Sequence, residues 1–224
     1  MRIVVTLVLL VGLAFGAIKK KEDEIYLVKI TPDIPYVYVD HKGVKVKVMR
    51  IQDTNHLLTD DYSKTSRPCP PFCIHPIKVD KRVKTVATVE VVKFMRDKVN
   101  SGKGIIIDAR LPKWYYAETI PSAINVPFTF LESNPPKEKV VAFFKLLGAK
   151  EKNGKLDFSN AKELLIFCNG VWCDQSPRLI RNLIKYGYPT DKILYYRNGM
   201  QGWKLLGLTT VVEKGNFIKN SQTK

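Results

Sequence analysis

A cysteine between a short apolar run and the start of a helix is the residue in this sequence best suited to nucleophilic chemistry. Residues 164–167 are all apolar, which is typical of a strand covered on both faces, and Cys168 follows them directly. Ser176 and Pro177 are residue types that begin helices, a hydroxyl N-cap and then a residue that needs no N–H group. Because a helix N-terminus stabilises a thiolate, the pattern predicts a reactive thiolate at Cys168. The competing interpretation is an ordinary buried cysteine.

The elements around this cysteine are predicted to alternate between strands and helices. They are a strand at residues 105–107, a helix at 138–147, the strand at 164–167, a helix at 177–186, a strand at 193–196 and a short helix at 199–207. Such alternation indicates a parallel sheet covered by helices, and these sheets bind ligands at the carboxyl ends of their strands. Asp108, Arg110 and Cys168 all follow predicted strands, so we expect them at one edge of the sheet.

Motifs on these elements resemble those of the rhodanese-like sulfurtransferases, over about residues 85 to 212. The motifs are Ile-Asp-Ala-Arg at residues 107–110, Thr-Ile-Pro-Ser-Ala-Ile-Asn-Val-Pro at 119–127, the cysteine loop at 167–176 and the segment at 197–208. Any one of them would be weak evidence. Their order along the chain makes the resemblance strong.

The resemblance implies a three-layer α/β/α domain with a central parallel sheet. In it Cys168 takes a sulfane sulfur from a donor such as thiosulfate, becomes a persulfide and passes the sulfur to cyanide or a thiol. It requires no metal ion and no organic cofactor. The implied partners are a small sulfur-containing anion, a cyanide or thiol acceptor, and a redox or sulfur-relay protein. Residues expected to bind the donor are Asn169, Gly170, Val171, Trp172, Cys173, Asp174, Arg110 and Arg178.

Two features depart from the family pattern. Residues 119–122 read Thr-Ile-Pro-Ser where the family commonly has His-Ile-Pro-Gly, a change expected to affect packing and turn geometry. The loop after Cys168 is longer than in compact sulfurtransferases, and within this fold a wider loop is associated with phosphatases. A phosphatase needs a loop arginine to bind phosphate, but Asp174 occupies that position and Arg178 lies inside the predicted helix. A phosphatase is therefore disfavoured. The main alternative to a sulfurtransferase is a non-catalytic sulfur carrier or protein-binding module.

The N-terminus predicts export. Arg2 precedes an apolar stretch at residues 3–15, and Ala14 and Gly16 are small residues at the positions typical of signal-peptide cleavage. We therefore expect a secretory signal at residues 1–16 and a secreted, periplasmic protein that has no transmembrane segment after cleavage. If the signal is not cleaved, the same stretch is expected to act as a membrane anchor.

The chain contains two pairs of closely spaced cysteines. In an oxidising compartment, the cysteines of each pair could form a disulfide. Cys69 and Cys73 are expected to form a structural disulfide, with free thiols or a zinc site that includes His75 as alternatives. Cys173 is a candidate resolving thiol, able to attack a persulfide on Cys168 or to protect it as a reversible disulfide. The alternative interpretation of Cys173 is a loop residue without a chemical role. Neither pair has the Cys-x-x-Cys spacing of thioredoxin-type proteins.

The rest of the chain is predicted to extend the domain at both ends. The predicted parts are a signal peptide at residues 1–16, a β-rich extension with a cysteine- and proline-rich segment at 17–80, the rhodanese-like domain at 81–213 and a basic tail at 214–224. Within the extension, strands are expected at residues 26–30, 36–39 and 44–48, whereas the prolines of 65–76 exclude regular structure. The sequence leaves open whether this extension covers the Cys168 loop.

The formal net charge of +16 favours anionic partners. Nucleic acid is not expected among them, because the lysines are scattered along the chain and no nucleic-acid-binding motif is present. Small sulfur oxyanions or an anionic membrane surface fit the charge better.

Overall fold

The computed structural model describes residues 26–214 and 217–220. The strands, in chain order, are β1 (Tyr36–His41), β2 (Val44–Met49), β3 (Lys84–Val86), β4 (Gly104–Asp108), β5 (Ala123–Asn125), β6 (Lys150–Lys152), β7 (Lys155–Asp157), β8 (Glu163–Phe167), β9 (Ile193–Tyr196), β10 (Val211–Lys214) and β11 (Phe217–Asn220). The α-helices are α1 (Thr88–Phe94), α2 (Pro112–Ala117), α3 (Lys137–Leu146), α4 (Gln175–Lys185) and α5 (Gly199–Leu205). A π-helical segment at Met95–Val99 continues α1, and 3-10 turns lie at Asp61–Ser63 and Thr190–Lys192.

A five-stranded sheet in the order β3-β9-β8-β4-β5 forms the centre of the fold, and all of its neighbouring strands pair in parallel. Its strands are apolar on both faces because alternate residues enter different cores. Ile107 and Ile166 pack with helices α3 and α4, whereas Ile106 and Leu165 pack with α1, α5 and the β1–β2 hairpin. The predicted three-layer α/β fold with a parallel sheet is confirmed.

The N-terminal hairpin shares a core with the domain. Val39 and Val48 are buried in the same apolar cluster as Trp203 of helix α5. Backbone hydrogen bonds reinforce this packing: the Ile51 N–H donates to the Gly207 carbonyl at 2.7 Å, and the Thr209 N–H donates to the Met49 carbonyl at 3.0 Å. The predicted strands at 36–39 and 44–48 are thus present, and they cover one face of the central sheet.

The structure corrects two predicted elements. Residues 26–30 form no strand, because the side-chain amide of Gln52 takes up both backbone groups of Val28, at 3.2 Å to its N–H and 2.8 Å to its carbonyl. Helix α4 begins at Gln175 rather than at Pro177, so Ser176 lies inside its first turn and is not the N-cap.

The predicted termini are only partly described. The predicted signal peptide at residues 1–16 lies outside the described residues. Within the part of the chain that the structure describes, no helix has the length and apolar character needed to cross a membrane. In the predicted basic tail, strand β11 pairs antiparallel with β10.

Ser122 has the backbone conformation for which the family pattern uses glycine. Its φ of +65° lies in the left-handed region, where a side chain costs conformational energy. The hairpin supports this turn, since Nδ1 of buried His41 accepts a hydrogen bond from the Ser122 N–H at 3.0 Å. The Ser122 hydroxyl is buried and finds no hydrogen-bond partner among the described residues. The serine therefore adds strain and an unsatisfied polar group to this turn.

Replacement of Ser122 by glycine is expected to stabilise the protein by about 1 kcal/mol, because the relief of backbone strain exceeds the entropy that glycine adds to the unfolded chain. Urea unfolding of both proteins measures this change. Ser159→Gly is the matched control, because Ser159 is not among the described residues with positive φ, and there the same substitution should destabilise. A loss of stability in Ser122→Gly would contradict the account.

Candidate active site

Cys168 stands at the carboxyl end of β8, where the chain leaves the sheet for the loop that precedes helix α4. Only 2% of the residue is exposed. The Ser176 hydroxyl donates a hydrogen bond to its Sγ at 3.0 Å, and in its thiol form Cys168 donates to the Cys173 carbonyl at 3.3 Å. The sulfur therefore lies in a pocket of polar groups at the N-terminus of α4, where the helix dipole favours negative charge.

This environment stabilises the thiolate of Cys168 relative to that of an ordinary cysteine. Burial opposes the charged form, but hydrogen bonds from the Cys173 thiol, the Ser176 hydroxyl and the N–H groups of Ser176 and Gly170 outweigh it and lower the pKa of Cys168. Burial, reinforced by the neighbouring Cys168 sulfur, raises the pKa of Cys173. Of the two cysteines, Cys168 is thus the more readily ionised, and the Cys173 thiol donates a hydrogen bond to its sulfur.

A buried ion pair between Asp108 and Arg110 lies next to the Cys168 loop and anchors it. The Arg110 guanidinium binds the Asp108 carboxylate, with Nε at 2.9 Å from Oδ1 and Nη2 at 2.6 Å from Oδ2. The same guanidinium donates to the Tyr62 hydroxyl at 3.1 Å and to the Asn169 side-chain carbonyl at 3.4 Å. It also donates to the Glu118 backbone carbonyl at 2.6 Å. All three nitrogens of Arg110 have protein partners, and one of them is the side chain of Asn169. The role of Arg110 in binding the sulfur donor stays a prediction.

The first residues of α5 bind the backbone of the Cys168 loop through hydrogen bonds. The Met200 N–H donates to the Cys168 carbonyl at 3.0 Å, and the Gln201 N–H donates to the Asn169 carbonyl at 2.8 Å. Gly199 makes this approach feasible, because it has a φ of +54° and a Cβ there would lie 2.3 Å from the Cys168 carbonyl oxygen. The motif at residues 197–208 therefore fixes the backbone of Cys168 and Asn169.

The other predicted binding residues lie along the loop with different partners. The Gly170 N–H faces Cys168, whereas the Val171 carbonyl accepts from the His75 N–H at 3.0 Å. The Trp172 indole N–H donates to the Gln201 side chain at 2.9 Å. In Cys173, the Sγ accepts a weak hydrogen bond from the Asn169 side-chain amide at 3.8 Å.

Asp174 and Arg178 lie on the solvent side of this region. Asp174 occupies the N-cap position of α4 without a side-chain capping bond, and its side chain is 49% exposed. Glu132 binds Arg178 through both carboxylate oxygens, and the Arg178 guanidinium also lies 4.3 Å from the centre of the Phe128 ring. Arg178 is therefore occupied by protein groups, and the prediction that it binds substrate receives no support from its contacts.

Sequence reasoning missed three contributors to the site. The sequence predicts Ser176 as a helix cap, but its hydroxyl donates to the Cys168 sulfur instead. Tyr62 reaches the loop from the N-terminal extension, and its hydroxyl donates to the Asn169 side chain at 2.9 Å. Gln201 binds the loop through both its backbone and its side chain. The glycine-rich motif around Gln201 was the only sequence signal for any of these contacts.

The N-terminal cysteines are joined to each other. Cys69 and Cys73 form a disulfide, so they offer no thiolates for the zinc site considered as an alternative. Cys168 and Cys173 are free thiols. Among the described residues, no group of three or more His, Cys, Asp or Glu side chains is arranged to hold a metal ion.

The part of the chain that contains the Cys168 site is similar to known proteins. The family model described as "Rhodanese-like domain" matches residues 91–206. An uncharacterised protein of Buchnera aphidicola subsp. Schizaphis graminum is 26% identical over 121 residues, which are 54% of this chain and 67% of that protein.

Solved structures show the same kind of likeness at low identity. A thiosulfate sulfurtransferase from Pseudomonas aeruginosa is 20% identical with a TM-score of 0.41, and the match covers 64% of this chain but only 23% of that one. The human single-domain sulfurtransferase TSTD1 is 23% identical with a TM-score of 0.38, over 55% of this chain and 96% of that one.

Gly199→Ala is expected to destabilise the protein by about 3 kcal/mol, because the new methyl group meets the Cys168 carbonyl in addition to the strained φ. Gly154→Ala is the matched control: its φ of +72° is also positive, but no other described atom lies within 4 Å of the added Cβ. The control should therefore lose only about 1 kcal/mol. Urea unfolding distinguishes the two, and equal losses would show that the close approach to Cys168 is unimportant.

Ser176→Ala is expected to raise the pKa of Cys168 by about one unit, since the variant removes a hydrogen bond to the thiolate. Only the thiolate reacts with iodoacetamide, so the alkylation rate rises with pH through the pKa of Cys168, and the midpoint should move to higher pH in the variant. Peptide mapping identifies the labelled cysteine. Ser133→Ala, which removes a hydroxyl bonded to the Phe130 carbonyl, is the control. An unchanged midpoint in Ser176→Ala would contradict this role.

Proposed function

The chain belongs to the rhodanese-like domain family, and from this premise we propose that it is a sulfurtransferase whose nucleophile is Cys168. One observation carries the proposal. The Cys168 sulfur lies at a strand end, facing the first turn of α4, and receives hydrogen bonds from a hydroxyl, a thiol and backbone N–H groups. Such a site stabilises a thiolate and the persulfide that replaces it, because both place negative charge among the same donors.

The proposed reaction has two displacement steps. The Cys168 thiolate attacks the outer sulfur of thiosulfate, a new S–S bond forms, and sulfite leaves with the electron pair of the broken bond. The anionic terminal sulfur then lies near the first turn of α4. Cyanide or a thiolate acceptor attacks that terminal sulfur, and Cys168 leaves as the thiolate with which the cycle began. Neither step requires a metal ion or an organic cofactor.

A phosphatase fits the same loop poorly. A phosphoryl dianion needs an arginine that binds it in a bidentate manner, but the loop position concerned is Asp174 and the nearby Arg178 is paired with Glu132. The carboxylate of Asp174 would repel such a substrate. Because the Asp174 side chain is half exposed and lies 3.9 Å from the Arg178 guanidinium, solvent and that cation screen its charge from a sulfur anion that approaches Cys168.

We further propose that the protein acts after export. The Cys69–Cys73 disulfide supports this proposal, since structural disulfides persist in oxidising compartments such as the periplasm. The net charge of +16 suits an anionic sulfur donor. A redox or sulfur-relay protein is the proposed partner that would receive the sulfur or reset the thiols.

Cys173 is proposed as the resolving thiol of the persulfide. In this step the Cys173 sulfur attacks the inner sulfur of the Cys168 persulfide, a Cys168–Cys173 disulfide forms and hydrosulfide leaves. A dithiol reductant then restores both thiols. The raised pKa of Cys173 keeps this step slow while the thiol stays buried, which favours transfer to an external acceptor.

Purified wild-type protein is expected to form thiocyanate from thiosulfate and cyanide, and Cys168→Ser should reduce kcat/KM by about 10³-fold or more because serine cannot carry the sulfur. Ser133→Ala serves as the control, because the Ser133 hydroxyl donates to the Phe130 carbonyl, which lies outside the Cys168 loop. This variant should retain the wild-type rate. Activity that survives in Cys168→Ser would refute the proposal. A wild-type protein that binds sulfur without any turnover would instead support the carrier or binding-module hypothesis.

A further inference from the structure

The proline-rich segment of residues 60–77, here named the cover, lies across the outer side of the Cys168 loop. Its centre contacts the loop through stacked side chains. The Arg67 guanidinium lies over the rings of Phe72 and Trp172, at 5.1 Å and 4.8 Å from their centres. The Phe72 ring also meets the Trp172 ring edge-on, with the centres 5.2 Å apart. These contacts attach the cover to the loop residue that was expected to bind the sulfur donor.

Hydrogen bonds attach both ends of the cover to the same site. At the first end, the Tyr62 hydroxyl donates to the Asn169 side chain, and the Gln201 side-chain amide donates to the Tyr62 carbonyl at 3.0 Å. At the second end, the His75 N–H donates to the Val171 carbonyl, and Arg197 donates to the carbonyl of His75. The cover is thus anchored to the Cys168 loop and to the segment at residues 197–208, which binds the backbone of that loop.

A disulfide closes the cover between these two ends. It joins Cys69 to Cys73, and the Phe72 N–H donates to the Pro68 carbonyl at 2.9 Å within the same turn. The bridge restricts the conformations open to this turn, and Phe72 lies between the two bridged residues. Loss of the disulfide should therefore weaken the stacking of Phe72 and Arg67 on Trp172.

The Cys168 loop is closed where the cover lies against it. The loop groups beneath it are nearly inaccessible, with exposed fractions of 2% for Cys168, 6% for Asn169 and 6% for Cys173. The cover contacts Asn169, Val171 and Trp172 of this loop, so a protein acceptor that approaches the loop from that side meets the cover first. A small anion or small thiol needs only a local opening, which costs less than release of the whole segment.

We propose that the cover determines which acceptors reach Cys168: it admits small sulfur compounds and excludes protein thiols until a dithiol reductant cleaves the Cys69–Cys73 disulfide. In that cleavage the two thiols of the reductant lose two electrons and two protons and become a disulfide, while Cys69 and Cys73 become thiols. The inference rests on the proposed function, since it concerns the acceptors of the sulfur. The released state would pass sulfur to a protein, and the closed state would not.

The test measures access to Cys168 rather than turnover. The full chain is labelled with iodoacetamide, a small reagent, and with a maleimide carried on a long polyethylene glycol chain, and peptide mapping locates each label. In the wild type, only the small reagent should react with Cys168 at a measurable rate. The double variant Cys69→Ser with Cys73→Ser should react about tenfold faster with the large reagent. Wild-type protein reduced with dithiothreitol, which is removed before labelling, should change in the same direction.

Arg67→Ala provides an independent variant that keeps the disulfide. It removes the guanidinium stacked on two rings and should increase labelling by the large reagent about fivefold. Ile74→Ala is the matched control, because Ile74 lies in the same segment with 77% of its surface exposed and should leave both rates unchanged. Circular dichroism confirms that each variant is folded.

Two results would overturn the proposal. One is a wild-type protein whose Cys168 reacts with both reagents at similar rates, and the other is an Arg67→Ala variant with no gain for the large reagent. Because labelling requires no sulfur donor, these results do not depend on sulfurtransferase activity. If the protein forms no thiocyanate but its labelling still depends on the size of the reagent, the proposed function is contradicted and the inference about the cover stands.

Discussion

The buried ion pair between Asp108 and Arg110 connects the sheet, the Cys168 loop and the N-terminal extension. Both side chains are almost fully buried, and a buried charge that loses its partner costs about 3–5 kcal/mol, so each must hold the other in place. The Thr119 hydroxyl also donates to the Asp108 carboxylate, at 2.8 Å. From this fixed position Arg110 donates to Tyr62 and Asn169, which belong to the extension and to the loop. The pair therefore determines where the residues around the nucleophile can lie.

The same burial that makes Cys168 hard to reach also makes its hydrogen bonds effective. Desolvation alone disfavours a thiolate, but in a site with little water each donor interacts with the sulfur more strongly than it would in solution. Ser176 and Gly170 supply fixed donors, and Cys173 adds a proton that its own raised pKa retains. The outcome is a Cys168 thiol that ionises more readily than the neighbouring Cys173 thiol. That arrangement suits the proposed role of Cys168, which is to accept sulfur from an anion and to keep the negative charge of the persulfide.

Local patterns predicted the central sheet and placed Cys168 at the end of one of its strands, whereas contacts between distant parts of the chain could not be predicted. The apolar strands before Asp108 and Cys168 could be identified because each is buried on both faces. Ser176 was misassigned because Ser-Pro is a local capping signal, and the true helix start at Gln175 carries no such signal. Tyr62 lies 107 residues from the asparagine that it binds, so no spacing along the chain indicates the contact. The predicted strand at residues 26–30 is absent for a similar reason, because the side-chain amide of Gln52 binds both backbone groups of Val28 at its centre.

Mass spectrometry of the intact protein after treatment with thiosulfate tests the central claim most directly. The account predicts a sulfur adduct on the peptide that contains Cys168, removed by cyanide and absent in Cys168→Ser. The mass of untreated protein should also show the Cys69–Cys73 disulfide and two free thiols. A sulfur adduct that persists in Cys168→Ser, or a wild-type protein that gains no sulfur from thiosulfate, would contradict the assignment of Cys168 as the sulfur carrier.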